Sequence, residues 1–303
     1  MIILVTGVCG QVGSDVMKEL NKRGIEAIGS DIQKECEATP YIPLDITDRD
    51  AVMEAVRGIS PDVIIHCAAW TDVDGAEAPE NRPLVERINA EGTRNLAEAA
   101  KATDAKMIYL STDYVFDGRG EEPWDPDDKS YAPMNYYGQT KLEGELAVSG
   151  TLDRFFIVRT AWVYGQNGKN FVKTMINVGK TYDTVRVVND QIGTPTYSAD
   201  LARLLADMAQ SDRYGYYHAT NEGGFISWYD FTREIYRQKG MDTRVIPVTT
   251  EEYGFSVAAR PFNSRLDKSK LIREGFEPLP EWQDALDRFL SCEACGEKDT
   301  RIG

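Results

Sequence analysis

The sequence predicts an α/β protein, with a doubly wound parallel sheet and a smaller, irregular α/β lobe that binds substrate. In the first half, short apolar runs alternate with stretches of helical periodicity, which is typical of repeated β-α units. The apolar runs have no polar face, so the strands that they predict are covered by helices on both sides. Beyond about residue 160 this alternation loosens, and prolines and aromatic residues become frequent. This change of pattern predicts the second lobe.

The predicted β-α units follow one another from the first residues onward. In the first unit, Val12, Val16 and Leu20 recur at the spacing of a helix face that packs on a core. The predicted strands are Ile2–Thr6, Glu26–Ser30, Asp62–Ala68, Lys106–Ser111 and Phe155–Thr160. The predicted helices are Val12–Arg23, Asp48–Ile59, Arg87–Ala102 and Asn135–Ser149.

The charge balance and the cysteine content narrow the classes of function. Lys and Arg together number 34, whereas Asp and Glu number 49, which gives a net charge of −15. A nucleic-acid binder or a membrane-surface protein needs a basic face, so we expect neither kind of partner. No apolar run reaches the ~18 residues of a membrane-spanning helix, and the first residues lack the charged region of a secretory signal. The five cysteines, an odd number, favour reduced thiols in a cytoplasmic protein.

A glycine-rich segment, Thr6–Gly13, lies between the first predicted strand and the first predicted helix. Gly7 allows a tight turn, Gly10 lets the backbone approach a pyrophosphate, and Gly13 lets the helix pack against the sheet. A pyrophosphate there meets the free N–H groups of the helix amino terminus. The segment predicts a dinucleotide site in a Rossmann-type domain, and a structural turn without a ligand is the alternative. We expect that domain to span 1–160 and about 183–215, and the substrate-binding lobe to span 161–182 and 216–303.

Asp31 ends the second predicted strand, 18 residues after Gly13. A carboxylate in this position accepts hydrogen bonds from the ribose hydroxyls of the adenosine and repels a 2′-phosphate, which favours NAD over NADP. Lys34 lies close enough in sequence to soften that repulsion, and a solvated loop acid is the other interpretation. Asp45 and Ile46 follow a short extended stretch and are candidates to border the adenine.

Tyr137 and Lys141 form a Y-x-x-x-K pattern on a predicted helix, so that the phenol and the ammonium share one face, a turn apart. A nearby ammonium stabilises phenolate and lowers the pKa of a tyrosine toward the range useful for proton transfer. Thr112 stands at the end of a predicted strand, at the edge of the sheet where substrates bind, and can hydrogen-bond a carbonyl oxygen. Together with the glycine-rich segment, these residues predict hydride transfer to or from a carbonyl group.

Further segments carry a family resemblance. They are His66–Asp74, Ser111–Gly118, Tyr137–Lys141, Arg159–Tyr164, Asn189–Gln191 and Arg260–Ser264. Over nearly all of its 303 residues, the chain resembles the extended short-chain dehydrogenases/reductases, and among them the family of dTDP-4-dehydrorhamnose reductases. The resemblance implies reduction of the 4-keto group of dTDP-4-dehydro-L-rhamnose to dTDP-L-rhamnose, the last step of dTDP-rhamnose biosynthesis, by NADPH or NADH.

The same resemblance implies a role for each site residue. Tyr137 would protonate the keto oxygen as hydride arrives, Lys141 would hold the ribose and tune the phenol, and Thr112 would polarise the carbonyl group. The cofactor-binding residues would be Gly7, Gly10, Gln11, Val12, Gly13, Asp31, Asp45, Ile46, Ala68, Ala69, Trp70, Thr71, Tyr137 and Lys141. The substrate-binding residues would be Thr112, Asp113, Tyr137, Trp162, Arg260 and Asn263, with core packing as the alternative for Trp162.

The diphosphate of a dTDP-sugar needs local positive charge. The chain is strongly acidic, so its overall field repels such an anion. Basic side chains must therefore lie at the diphosphate itself. The candidates are Lys169, Lys173, Arg260 and Arg265, and a solvated surface charge is the alternative for the lysines.

Other functions fit parts of the pattern. A related 4-ketoreductase for another sugar nucleotide has much the same sequence features. A 4,6-dehydratase needs an Asp-Glu pair after the threonine, but Asp113 is followed by Tyr114. A 4-epimerase fits the core motifs but not Ser111–Gly118 and Arg260–Ser264. A non-catalytic regulatory subunit of the methionine adenosyltransferase type is free to lose the tyrosine or the lysine, and both are present here.

We expect neither a metal site nor a magnesium-bridged dimer. One branch of the family is bridged through three glutamates, and the aligned positions here are Asp15, Ala199 and Cys292. Only Asp15 could ligate a hard cation, so the prediction is a monomer, or a dimer made in another way. Cys292 and Cys295 form a C-x-x-C without further ligands, and His66, in an apolar strand, is interpreted as a core residue.

Overall fold

The computed structural model describes the chain from residue 1 to residue 299, and its side chains as far as residue 292. The strands of the main sheet are β1 (Ile2–Thr6), β2 (Glu26–Asp31), β3 (Tyr41–Pro43), β4 (Val63–His66), β5 (Lys106–Thr112), β6 (Phe155–Thr160) and β11 (Gly215–His218). The other strands are β7 (Val163–Tyr164), β8 (Thr184–Val188), β9 (Ile192–Gly193), β10 (Thr196–Tyr197), β12 (Asn221–Glu222), β13 (Ile226–Ser227), β14 (Arg244–Val248) and β15 (Leu279–Glu281).

Helices of ordinary length alternate with short ones. The α-helices are α1 (Gln11–Lys22), α2 (Arg49–Ile59), α3 (Arg82–Glu86), α4 (Thr93–Ala102), α5 (Tyr136–Thr151), α6 (Phe171–Thr181), α7 (Ser198–Ala209), α8 (Trp228–Lys239), α9 (Thr250–Tyr253), α10 (Ser269–Arg273) and α11 (Trp282–Asp299). A π-helical turn, Arg87–Gly92, joins α3 to α4, and two 3₁₀ turns lie at Gly75–Glu77 and Asp113–Val115.

All strands of the main sheet are parallel, in the order β11-β6-β5-β4-β1-β2-β3. The chain winds outward from β1 to β3, crosses back to β4, and then winds outward in the other direction. This confirms the predicted doubly wound fold and places a ligand crevice at the carboxyl ends of β1 and β4. Within the described residues, no helix is both long and apolar enough to cross a membrane.

Helices cover both faces of this sheet, as its apolar strands require. On one face, α1 packs against α7 and buries Val16, Leu20 and Leu205. On the other face, α2, α4 and α5 bury a second apolar cluster that includes Leu96 and Val148. Each such side chain contributes roughly 1.5–3 kcal/mol when fully buried. The two clusters hold the strand ends, and therefore the crevice, in fixed positions.

The second lobe has short strands around an aromatic core. Its cluster contains Tyr164, Phe231, Trp282 and Phe289. The strands pair only two by two: β7 with β10, β8 with β14, β9 with β13, and β12 with β15. With so few backbone hydrogen bonds, side-chain packing contributes more of the order in this lobe than in the main sheet.

The structure differs from the predicted domain division at two strands. The segment of about 183–215 was expected with the main sheet, yet β8 pairs with β14 in the second lobe. The segment 216–303 was expected in the lobe, yet β11 forms the edge of the main sheet beside β6. A short apolar strand has the same pattern whichever sheet it joins, so the sequence could not distinguish these cases.

Candidate active site

A cavity of about 700 Å³ opens between the carboxyl edge of the main sheet and the second lobe. The strand ends form one side, here called the sheet wall, because the register aligns Thr6 with Ser30 and His66, and Thr112 with Thr160. The other side, the lobe wall, is formed by Trp162, Phe171, Trp228 and Phe231. The predicted site residues that line the cavity are Gly7, Gly10, Gln11, Val12, Gly13, Asp31, Asp45, Ile46, Ala68, Ala69, Thr71, Thr112, Asp113, Tyr137, Lys141, Trp162 and Arg260.

The loop between β1 and α1 is possible only because side chains are absent. Gly7 has a φ of +73°, and a Cβ atom there would lie 2.5 Å from the backbone nitrogen of Ala68. A Cβ atom on Gly13 would lie 2.2 Å from the carbonyl oxygen of Gly7. Gly10 is the N-cap of α1, and the first turn of this helix carries no acidic side chain. Because that turn lines the cavity, its free N–H groups fit the pyrophosphate of a dinucleotide.

Asp31 lies at the end of β2, on the same cavity. Its carboxylate accepts hydrogen bonds from the backbone N–H groups of Cys9, at 3.1 Å, and Gln33, at 3.4 Å. The side chain therefore ties the glycine loop to β2. Next to it, Ser30 Oγ is buried without a hydrogen-bond partner among the described residues. An unpartnered hydroxyl and a carboxylate at this edge fit the ribose of the adenosine half.

The cysteines near this edge are not poised for chemistry. Burial and the neighbouring Cys36 thiol raise the pKa of Cys9 to about 12. Burial likewise raises the pKa of Cys67 to about 12, so neither thiol forms the reactive thiolate near neutral pH. The cysteines whose side chains are described form no disulfide, and Cys295 of the C-x-x-C pattern lies outside those residues.

Helix α5 brings Tyr137 and Lys141 to the sheet wall. Asn135 caps this helix, and its side-chain oxygen accepts a hydrogen bond from the N–H of Gly138 at 2.7 Å. A Cβ atom on Gly138 would lie 2.3 Å from the carbonyl oxygen of Tyr114. The first turn of α5 therefore rests directly on the backbone that follows β5. This close contact fixes where the phenol and the ammonium stand.

Lys141 is buried beneath the cavity. Its ammonium donates a hydrogen bond to the carbonyl oxygen of Leu110 at 2.8 Å and lies 4.2 Å from the centre of the Tyr109 ring. Burial lowers the pKa of Lys141 to about 7, although the nearby negative charge of Glu145 favours its protonated form. The lysine is therefore balanced between its charged and neutral forms near neutral pH.

Tyr137 is neutral in this environment. Burial raises the pKa of its phenol above the ordinary range, and the charge of Asp113 raises it further, while a hydrogen bond with Thr112 opposes the shift. From its spacing to Lys141, a lowered pKa was expected for Tyr137. Desolvation is the larger effect here, because the packed protein around the phenol disfavours its charged form. A neutral phenol keeps the proton that a general acid must give.

Asp113 joins the two walls of the cavity. One carboxylate oxygen accepts a hydrogen bond from Thr112 Oγ1 at 3.0 Å, and the other accepts one from Ser264 Oγ at 2.5 Å. Burial raises the pKa of Asp113 to about 6, although both hydrogen bonds lower it. A single carboxylate thus orients the threonine hydroxyl and fastens a second-lobe segment to the sheet.

A buried ion pair lies behind Lys141. The guanidinium of Arg159, on β6, donates two hydrogen bonds of 2.8 Å to the carboxylate of Glu145, on α5, and neither side chain is exposed. Ser111 Oγ donates a further hydrogen bond to Glu145 at 2.5 Å. The pair fixes α5 to the sheet one turn beyond the lysine. Glu145 was not among the predicted site residues, although its position four residues after Lys141 is a usable signal.

A polar network supports the cofactor side of the sheet wall. His66 is bonded on both sides, by Thr6 at 2.7 Å and Thr93 at 3.0 Å, and burial lowers its pKa to about 3. It is a neutral core residue whose two ring nitrogens both have hydrogen-bond partners, as expected.

Asn89 lies on the π-helical turn and makes two hydrogen bonds with the backbone of Trp70. Its side-chain oxygen accepts from the Trp70 N–H at 2.9 Å, and its side-chain amide donates to the Trp70 carbonyl oxygen at 3.2 Å. Asn89, which the sequence analysis missed, therefore holds the loop Ala68–Thr71 from behind.

Trp162 lies on the lobe wall in a strained conformation. Its φ is +52°, in the left-handed region that bulky residues avoid. Such a conformation costs roughly 1–2 kcal/mol and persists only where the surroundings hold it. The indole lines the cavity opposite the sheet wall. The side chain also packs beside the apolar cluster that includes Val115 and Leu266, so Trp162 has one side in packed surroundings and one side on the cavity.

Two predicted site residues do not line the cavity. The amide of Asn263 donates to the carbonyl oxygens of Arg119 and Glu122, at 3.2 and 2.8 Å, and its oxygen accepts from Arg265. These hydrogen bonds hold a turn, and the substrate contact of Asn263 stays a prediction. Trp70 turns its indole N–H to the carbonyl oxygen of Asp72 at 2.8 Å. Trp70 thus shapes the cofactor loop without facing the cavity.

The basic candidates for a diphosphate divide into two groups. Arg260 lines the cavity, but its guanidinium is paired with Asp74 through contacts of 2.7 and 3.0 Å. Lys173 is bonded to the carbonyl oxygens of Gln166 and Gly168, which holds its own loop together. Lys169 lines the cavity and is exposed. The structure therefore brings Lys169 and Arg260 to the site, whereas Lys173 and Arg265 serve their loops.

The positions aligned with a magnesium bridge are Asp15, Ala199 and Cys292. Asp15 accepts hydrogen bonds from Ser198 at 2.5 Å and Lys18 at 3.0 Å, so its carboxylate is used within the chain. Ala199 packs against the aromatic core of the second lobe, and Cys292 is exposed. Among the described residues, no group of three or more His, Cys, Asp or Glu side chains could hold a metal ion.

Comparison with known proteins agrees with this geometry. The family model described as "RmlD substrate binding domain" matches residues 1–294. A dTDP-4-dehydrorhamnose reductase of Streptomyces griseus is 42% identical over 93% of this chain and 91% of its own length.

Two solved structures are similar over nearly the whole fold. A dTDP-4-dehydrorhamnose reductase of Clostridium acetobutylicum has a TM-score of 0.90 and 43% identity, over 97% of this chain and 100% of its own. The dTDP-4-dehydrorhamnose reductase of Bacillus anthracis, in complex with NADP, has a TM-score of 0.88 and 42% identity, over 95% of this chain and 98% of its own. With a glycine loop, Tyr137 and Lys141 on one cavity, the chain belongs to the family of dTDP-4-dehydrorhamnose reductases.

Proposed function

We propose that this protein reduces the 4-keto group of dTDP-4-dehydro-L-rhamnose to give dTDP-L-rhamnose. The observation that carries the proposal is the placement of Thr112, Tyr137 and Lys141 on the same cavity as the glycine loop. The similarity to reductases of this name over more than nine-tenths of the chain supports the same substrate. The neutral phenol of Tyr137 supports reduction, because the reaction consumes one proton at the keto oxygen.

The residues of the sheet wall would hold the nicotinamide cofactor and donate one proton to the keto oxygen of the substrate. The first turn of α1 binds the pyrophosphate, and Asp31 and Ser30 face the adenosine ribose. Bound NADPH supplies the hydride. Tyr137 would give its phenolic proton to the substrate oxygen, and the protonated form of Lys141 would stabilise the phenolate that remains.

Thr112 would direct the substrate oxygen toward Tyr137. In the free protein, its hydroxyl hydrogen is bonded to Asp113. The hydroxyl must turn to donate to the keto oxygen, and it then steadies the negative charge that develops there. Because Asp113 also accepts from Ser264, the carboxylate stays in place while the threonine turns.

The lobe wall would receive the sugar and its diphosphate. Trp162 and Asp113, which line the cavity, would contact the sugar, and Lys169 and Arg260, which also line it, would contact the diphosphate. Arg260 can serve only in part, since Asp74 already neutralises it. The proposal includes a cytoplasmic monomer with no nucleic-acid or membrane partner, and a cofactor domain separate from a substrate lobe.

The test is a steady-state assay of cofactor consumption with freshly generated dTDP-4-dehydro-L-rhamnose. NADPH and NADH are compared, and other dTDP-4-keto sugars serve as competitors. The expected result is stoichiometric oxidation of the cofactor and formation of dTDP-L-rhamnose. Epimerisation without net oxidation, or cofactor binding without turnover, would contradict the proposal in favour of an epimerase or a regulatory subunit.

A further inference from the structure

The lobe wall contains a stack of three aromatic rings. The indole of Trp228 lies face to face with that of Trp162, with ring centres 3.7 Å apart and planes 17° apart. The ring of Phe171 lies 4.4 Å from the Trp228 indole, tilted by 47°. All three rings line the cavity, and Trp228 is the middle one. Trp228 and Phe171 were not among the predicted site residues.

The strained Trp162 is confined from a second direction by Gly193. The pairing of β9 with β13 sets Gly193 opposite Ile226, two residues before Trp228. A Cβ atom on Gly193 would lie 3.0 Å from the Cβ atom of Ser264 and 3.1 Å from both Cε2 and Cζ2 of the Trp162 indole. The pairing of β9 with β13 therefore positions both Gly193 and Trp228, and the indole of Trp162 lies between these two residues.

The other end of the stack is tied to the cofactor side. Phe171 is the first residue of α6, whose N-cap is Asn170. The amide of Asn170 donates a hydrogen bond to the side-chain oxygen of Gln11, in the first turn of α1, at 3.1 Å. This hydrogen bond joins the Phe171 end of the ring stack to the first turn of α1. The Trp162 indole forms the opposite end of the stack.

We propose that Trp228 is a positioning residue that holds the indole of Trp162 in its left-handed conformation and thereby fixes the surface on which the sugar nucleotide binds. This inference rests on the proposed function, in which Trp162 contacts the substrate. A bulky residue leaves the left-handed region unless its surroundings hold it there. The stacked face of Trp228 supplies that hold, since aromatic pairs prefer fixed offsets and angles. Without Trp228, Trp162 relaxes and the sugar loses an ordered partner.

The first experiment replaces Trp228 by Ala and by Phe. Trp228→Ala should raise the KM for dTDP-4-dehydro-L-rhamnose about tenfold, the effect of losing one aromatic contact, while the Kd for NADPH stays unchanged. Trp228→Phe keeps a stacking ring and should recover most of the loss. Trp124→Phe is the matched control: Trp124 stacks on Phe116 with ring centres 4.5 Å apart, outside the cavity lining. This control should leave the KM unchanged.

A second variant approaches the same indole from the other side. Gly193→Ala removes no ring but presses a methyl group against both Ser264 and Trp162. It should raise the KM in the same direction and also change the stacking signal described next, which a shift of Ser264 alone would leave unchanged. Stacked indoles give an exciton couplet in far-ultraviolet circular dichroism, and Trp228→Ala should abolish it. The couplet reports on the stack without any turnover. Quenching of tryptophan fluorescence by dTDP-L-rhamnose measures binding, also without turnover.

The outcomes separate this inference from the proposed function. If the wild-type protein turns over substrate and Trp228→Ala loses the couplet but keeps the wild-type KM, the positioning role is wrong and the proposed function stands. If the wild-type protein neither turns over the keto sugar nor binds dTDP-L-rhamnose, both are wrong. A raised KM in Trp228→Ala and Gly193→Ala, with recovery in Trp228→Phe, supports the inference.

Discussion

The two walls of the cavity are held in place by different parts of the chain. The sheet wall consists of ends of long parallel strands and of a loop whose glycines touch neighbouring backbone. The lobe wall lies beside two-residue strands, and its rings pack on one another. A separate segment of the lobe is held to the sheet where Ser264 donates a hydrogen bond to Asp113. Replacing one side chain changes the backbone geometry of a sheet only a little. The same replacement changes the packing of the neighbouring side chains much more. Substitutions should therefore alter chemistry on the sheet wall and binding geometry on the lobe wall.

The largest expected effect is on the sheet wall. Tyr137→Phe removes the proton donor and keeps the contacts of α5, so kcat should fall by about 10²–10⁴-fold with the Kd for NADPH unchanged. Single-turnover rates and cofactor titration measure the two quantities. Tyr136→Phe is the control, because its hydroxyl reaches Glu86 at the surface, and it should keep wild-type turnover. A parallel loss of NADPH binding in Tyr137→Phe would mean that the phenol supports structure rather than chemistry.

The next effect lies at Asp113, where the two walls meet. Its pKa is about 6 in the folded protein, against an ordinary value of 3.8, because the carboxylate is buried. A raised pKa stabilises the fold fully only below pH 3.8, and that contribution is lost as the pH rises through 6. At pH 8 the buried charge therefore costs up to about 3 kcal/mol, which Asp113→Asn avoids.

Urea unfolding of Asp113→Asn tests this prediction. The variant should be more stable than wild type near pH 8 and about equal to it near pH 4, with reduced activity. Ser264→Ala provides the opposite case, since it removes a hydrogen bond from the carboxylate and should destabilise the protein at pH 8. An equal difference in stability at both pH values would exclude the titration of Asp113 as its cause.

A smaller effect is expected at the adenosine end of the sheet wall. Asp31→Ala removes a carboxylate that repels a 2′-phosphate, so the ratio of kcat/KM for NADPH to that for NADH should rise about tenfold. Glu35→Ala removes the same charge from an exposed position nearby and should leave the ratio unchanged. If both variants shift the ratio equally, the preference follows from overall charge and not from contact with the ribose.

The smallest expected effect is none at all. Asp15 is bonded to Lys18 and Ser198 where α1 meets α7, and Cys292 is not a ligand for a hard cation. Chelation by EDTA should change neither the sedimentation coefficient at micromolar protein nor the reductase activity. A dimer that dissociates and loses activity in EDTA would show that a magnesium bridge forms through other residues.

Most of the sheet wall could be predicted from the sequence, because its signals are local. Gly7 and Gly13 are required by backbone contacts within one loop, and Tyr137 and Lys141 are one helical turn apart. The pKa of Tyr137 could not be predicted in this way. It depends on burial, which the spacing of two residues does not report.

The lobe wall could be predicted only in part. Trp162 stood out through its motif, but Trp228 is 66 residues further along the chain, and nothing local links the two. Arg260 was expected to be available to a diphosphate, yet it is paired with Asp74, 186 residues away. Contacts of this range depend on how the second lobe folds back on the sheet.

The π-helical turn Arg87–Gly92 makes the protein sensitive to the loss of a single codon. A π turn holds one residue more than the same length of α-helix, so a deletion here would let α3 and α4 run on as one regular helix. Each residue rotates a helix by about 100°, and Asn89 would then point away from Trp70. The loop Ala68–Thr71 would then lose its tether. A chain one residue shorter at this point could fold and still fail to hold its cofactor.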